Sequence, residues 1–164
     1  MAETERPYAG LQTRPVKALS ASQVADLKEG RGMGFALAAE LNGYPGPVHV
    51  LELDEPLGLS QAQRSRTKEL LGAMTAETVP LGEQLLSLEM DLDRQFAKKT
   101  ITEAGLEKTM EAIGSTRAKL RGAHLRFHLA MFKVLSPEQV ARYNELRGYL
   151  SSAHVQDQHQ GHQH

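Results

Sequence analysis

An all-α fold is what this sequence predicts, built on a long bent antiparallel helical hairpin with short flanking helices. Three observations carry that expectation: the composition, two long amphipathic stripes with one break between them, and capping signals at the segment starts. Only 5% of residues are aromatic and there is no tryptophan. Leu, Ala, Glu, Gln, Lys and Arg are plentiful, which favours extended helices over sandwiches and barrels. A chain of 164 residues is long enough for one domain with a real core.

Residues 1–19 carry Pro7, Gly10 and Pro15 in a mixed polar context and read as a loop or arm. Ser20-Ala21-Ser22-Gln23 opens a short helix that runs to Glu29, where Gly30 and Gly32 interrupt it. The apolar run Met33 to Leu41 ends at Asn42-Gly43-Tyr44-Pro45-Gly46-Pro47, a firm break because proline removes a donor and restricts the residue before it. Val48 to Leu57 fits either a short helix or an extended piece.

Ser60, with Gln63 three residues on, forms a capping-box signature. The helix it opens has Leu70, Met74, Leu81, Leu85, Leu88, Leu92 and Phe96 as an apolar stripe, and Pro80 is expected to kink it. Lys98 and Lys99 sit at its negative pole. Thr100 with Glu103 reads as the next capping box. In the second long helix Leu106, Met110, Ile113, Arg117, Leu120, His124, Phe127, Met131 and Val134 alternate steps of four and three, a heptad-like seam. Ser136-Pro137-Glu138-Gln139 starts a last helix, expected to run to about Ser151. The remaining segment, 153–164, is expected to be a disordered His-rich tail.

The balance of 19 basic against 20 acidic residues provides no field for nucleic acid or an anionic membrane. No stretch reaches the roughly 20 apolar residues of a membrane span. Zero cysteines exclude a disulfide framework and a thiolate nucleophile. There is no phosphate loop after a strand, no G-x-S-x-G and no H-E-x-x-H, so no enzyme is expected.

Leu59-Ser60-Gln61-Ala62-Gln63 and Leu135-Ser136-Pro137-Glu138-Gln139 are two copies of an L-[ST]-x-x-Q pattern, 76 residues apart and bracketing the hairpin. The pair resembles the signature of the Spy/CpxP family of periplasmic proteins, which includes zinc-resistance-associated and heavy-metal-sensor-like members. The resemblance covers residues 48–152, leaving 1–47 as an irregular N-terminal arm with short helices. The stretch from Gly32 through Pro47 to Leu51 is similar to a less characterised branch of the same group.

The resemblance implies a periplasmic location with a signal peptide removed, although Met1-Ala2-Glu3-Thr4-Glu5 itself has no signal character. It implies a homodimer whose partners are unfolded client proteins or a membrane-anchored regulator. It also implies one of two roles: binding a divalent transition metal (Zn, Cu, Ni or Co) in a metal or envelope-stress response, or shielding unfolded clients without ATP. The metal role is the one expected first.

His124 and His128 are spaced i, i+4 with Met131 one turn beyond, so two imidazoles and a thioether share a helix side. In the cobalt–nickel sensor relatives a His and a Met on the corresponding helix bind metal with histidines before the first motif and a Glu after it. His49 is the one histidine before that motif here, and Glu69 is the matching carboxylate candidate. The competing assignment puts His124 in the seam, His128 in solvent and Met131 in the core. His154, His159, His162 and His164 form a candidate flexible chelator, or else a solubilising end. For client capture the bases Lys98, Lys99, Arg117, Lys119, Arg121 and Arg126 are candidates to attract acidic segments, or else form a solvated helix face.

Overall fold

The computed structural model describes residues 5–150 of the chain. Among them are a 3-10 turn at Leu11–Thr13 and seven α-helices: α1 Ala21–Glu29, α2 Leu37–Glu40, α3 Pro47–Glu52, α4 Asp54–Leu57, α5 Gln61–Ala97, α6 Glu103–Val134 and α7 Pro137–Leu146. The described residues contain no strand, and α5 and α6 pack together as an antiparallel pair. The ambiguous stretch Val48 to Leu57 is helical, as α3 and α4. No helix of the described residues is long and apolar enough to cross a membrane.

The contacts divide the described residues into two compact units, one joining 5–33 to Thr75–Gly122 and the other joining Gly34–Met74 to 123–150. The division within the N-terminal third falls between residues 33 and 34. The expected tail at 153–164 lies outside the described residues.

In the first unit, α1 opens on Ser20, whose hydroxyl accepts from the Gln23 N–H while the Gln23 side chain accepts from the Ser20 N–H. Leu19 is buried just ahead of it. Leu19-Ser20-Ala21-Ser22-Gln23 is thus a third L-S-x-x-Q copy, built like the other two. The C-terminal turn of α1 lies directly on α5. A Cβ on Gly82 would come within 2.2 Å of the Leu27 carbonyl oxygen, and one on Gly30 within 2.9 Å of Thr78 Oγ1. At Gly82 the approach is backbone to backbone and open only to glycine. Further along, the Lys17 N–H donates to the Asp93 carboxylate at 3.2 Å.

The turn between the long helices differs from the expected one. Lys99 adopts a left-handed φ of 58°, and the Thr100 N–H bonds back to the Gln95 carbonyl at 3.0 Å, the six-to-one closure of a helix end. Thr100 is spent on closing α5. Thr102 caps α6 instead, its hydroxyl accepting from the Gly105 N–H at 3.1 Å. The seam of α6 follows the heptad reading except at two positions in its first half. Met110 and Arg117 are exposed, and Thr109 and Thr116 are buried beside Ile113 and Leu120. Phe96, read as part of the α5 stripe, is half exposed.

The second unit is organised by the two motif copies predicted to matter. Ser60 with Gln63 and Ser136 with Gln139 both form complete capping boxes. The two glutamine side chains also bond each other, Gln63 Nε2 to Gln139 Oε1 at 2.8 Å and Gln139 Nε2 to Gln63 Oε1 at 2.9 Å. The second amide hydrogens go to the Val134 carbonyl from Gln63 and the Leu57 carbonyl from Gln139. Every donor and acceptor position of both amides is filled. Leu59 and Leu135, which lead the motifs, enter a core with Val50, Leu57, Leu70, Met131 and Tyr143. An ion pair from Arg64 to Asp54 ties the first turn of α5 to α4 and holds the Asp54 carboxyl below its ordinary value. α7 ends at Leu146 rather than near Ser151 because Gly148, at φ 77°, lets the Tyr149 N–H close back on the Asn144 carbonyl.

Replacing Gly82 by Ala forces α1 away from α5. Overpacking of this kind costs about 1–3 kcal/mol against a gain in helix propensity of about 1 kcal/mol, so urea denaturation is expected to show a net loss of stability. A stabilised Gly82→Ala variant would mean that α1 does not rest on this surface.

Candidate functional site

Segment 35–44 runs alongside α6 and meets it at three successive turns. The Phe35 ring stacks on His124 with centroids 6.3 Å apart and planes inclined by 15°. Glu40 Oε2 lies 3.7 Å from His128 Nδ1. The Tyr44 ring packs on Phe132 at 4.4 Å. Residues 124, 128 and 132 are one turn apart and share a face. The break at Asn42-Gly43, with Gly43 at φ 87° and the Tyr44 N–H closing on the Ala39 carbonyl, places Glu40 and Tyr44 against this face together.

Glu40 is buried, 7% exposed. Its Oε1 accepts from the Tyr143 hydroxyl at 2.5 Å and the Tyr149 hydroxyl at 2.7 Å, with Arg147 Nε 4.0 Å away. Its Oε2 has no hydrogen-bond partner. Burial and the bond to the carboxylate push the Tyr143 hydroxyl far above its ordinary value, and burial raises that of Tyr149. Both phenols therefore stay protonated and act as donors.

His128 is buried too. Its Nδ1 lies 2.6 Å from the Tyr44 carbonyl oxygen, and since a carbonyl only accepts, Nδ1 carries a hydrogen and donates it. Its Nε2 faces Gly46, where an added Cβ would sit 2.8 Å away. His124 is 3% exposed and its Nε2 has no hydrogen-bond partner. Burial, and then the neighbouring His128, hold its imidazole below the ordinary value.

Of the residues singled out in the sequence, the structure brings His124 and His128 to one face, and His128 is not in solvent. Met131 is wholly buried in the core of the second unit with Val50 and Leu70. His49 is partly exposed on α3, its Nδ1 3.0 Å from Glu52. Glu69 is exposed and paired with Arg66 at 3.0 Å. His154, His159, His162 and His164 lie outside the described residues. Among the described residues no group of three or more His, Cys, Asp or Glu is arranged to hold a metal ion. At His124, His128 and Met131 the His128 Nδ1 hydrogen goes to the Tyr44 carbonyl, which leaves its Nε2 lone pair facing Gly46, and the Met131 thioether is buried in the core.

Glu40, Tyr143 and Tyr149 went unmarked in the sequence. A signal was present: Glu40 is the only charged residue between Arg31 and Glu52 apart from the ionisable His49, and an isolated carboxylate in an apolar stretch is seldom buried without partners.

Compared with protein-family models, curated proteins and solved structures, the chain has no match.

The burial of His124 fixes the sign of a pH effect. Above about pH 6.5 the imidazole is neutral whether folded or unfolded; below it the unfolded chain takes up a proton that the buried ring resists, so stability is lost as pH falls. The urea midpoint should drop between about pH 7.5 and about pH 5.5, and His124→Phe should remove part of that drop. An unchanged pH slope in the variant would contradict the assignment.

Proposed function

We propose that this chain is a periplasmic helical-hairpin protein of the Spy/CpxP type that captures non-native polypeptide without ATP, acting as a homodimer. One observation carries the reading: large apolar side chains stand in solvent on both units. On the second unit these include Leu129 and Phe132, one turn apart on α6 with Phe132 also touching Tyr44, and Leu37 on α2 with Leu41 just past its end. On the first they are Met90, Phe96 and Met110. Exposed single apolar residues are ordinary, but pairs on one helix face mark interaction surfaces.

The surroundings suit an unfolded client. Lys98, Lys99, Arg117, Lys119, Arg121 and Arg126 are exposed and add weak attraction for acidic segments, which speeds encounter without fixing one partner. The interlocked motif copies support the family assignment, since they give the repeated L-S-x-x-Q pattern a structural task. Capture of clients takes precedence over metal sensing because it uses surface that the described residues possess. A metal role would fall to His154, His159, His162 and His164.

Suppression of aggregation tests the reading. With no cysteine in the chain, reductant leaves it unchanged, so α-lactalbumin unfolded by reduction is a clean client. The chain should suppress its light scattering without ATP. A Leu129→Ser, Phe132→Ser variant should need about five to ten times more protein for half suppression, given the apolar area lost. Absence of suppression, or equal potency of the variant with its fold intact, would sink the proposal.

A further inference from the structure

Residues 34–46 bury Ala36, Glu40, Pro45 and Gly46 but contain little regular structure of their own. The only helix in the segment, α2, has four residues, too short to hold itself. Attachment comes from buried Ala36 and Pro45 and from Phe35 on His124, Glu40 on Tyr143 and Tyr149, and Tyr44 on His128 and Phe132. Leu37 and Leu41 face solvent and add nothing to it.

Under this segment the polar accounting is incomplete. Glu40 Oε2 and His124 Nε2 are both buried without a protein hydrogen-bond partner, Glu40 Oε2 having only His128 Nδ1 at 3.7 Å, and such groups cost more to bury than paired ones. Lifting the segment would hydrate both. Its ends are suited to that movement. Gly34 has φ 75° and follows Met33 at φ 48°, a strained conformation for a side-chain-bearing residue. At the other end Gly46 passes so close to His128 that one methyl group would meet the ring.

We propose that residues 34–46 are a releasable cover on α6, opening as one piece while α5, α6 and α7 stay folded. Opening bares Phe35 and the face of α6 that carries His124 and His128. Elements with low local stability and unsatisfied buried groups are those expected to open below the global unfolding threshold. The inference goes beyond client capture and is decided by exchange alone.

Amide hydrogen exchange resolved by residue tests it in the intact chain. The Glu40, Leu41 and Tyr44 N–H groups bond to the Ala36, Leu37 and Ala39 carbonyls and should exchange together, at least about tenfold faster than α6 amides at 123–131. His124→Phe keeps the stack and deletes the unpartnered nitrogen, so it should slow the segment by about tenfold without changing α6. Gly46→Ala has the opposite effect, pressing on His128 and speeding exchange of the segment alone. The proposal is overturned if 34–46 exchanges only in step with α6, if His124→Phe fails to slow it, or if Gly46→Ala lowers protection of α6 by the same factor.

Discussion

Two glutamine side chains, Gln63 and Gln139, sit at the point where α4 leads into α5 and α6 gives way to α7, and the second unit is organised around their pairing. Each amide caps its own helix, accepts from its partner and donates to a carbonyl across the junction, at Val134 or Leu57. A partly buried polar network stabilises only when it is complete, because a missing bond leaves a desolvated dipole. Here it is complete, so it specifies one register. Leu59 and Leu135 can enter the core only in that register, and Tyr143, six residues into α7 from Pro137, then reaches Glu40.

The cover segment is the counterpart of this clasp. It too is held by polar contacts, yet Glu40 Oε2 and His124 Nε2 find no partner. Placed side by side, a satisfied network fixes α5, α6 and α7, and an unsatisfied one holds 34–46. On the proposal above, that contrast in polar pairing separates a rigid frame from a part that can move.

Local chemistry was legible in the sequence, and non-local pairing was not. Ser20, Ser60 and Ser136 announce helix starts because a capping box needs only four residues, and Pro45 with Pro47 stops a helix whatever surrounds it. The Thr100 box failed because Lys99 closes α5 in a left-handed conformation that residue type does not advertise. The seam of α6 was misread at two positions because threonine counts as polar in a binary pattern. A threonine can satisfy its hydroxyl within its own helix, as Thr67 does with the Gln63 carbonyl at 2.7 Å, and Thr109 and Thr116 are buried where Met110 and Arg117 were expected. The site depends on contacts such as His128 to Tyr44, 84 positions apart, which no periodicity encodes. The copy at Leu19 to Gln23 was readable, but a short helix hid it.

A double-mutant cycle on Gln63 and Gln139 measures the clasp most directly. Each replacement by Ala should cost about 1–3 kcal/mol in urea denaturation, since it strands the partner amide. The double variant should cost less than the two together by at least about 1 kcal/mol. Strictly additive costs would contradict the account, because the two motif copies would then be independent helix caps and not one interaction.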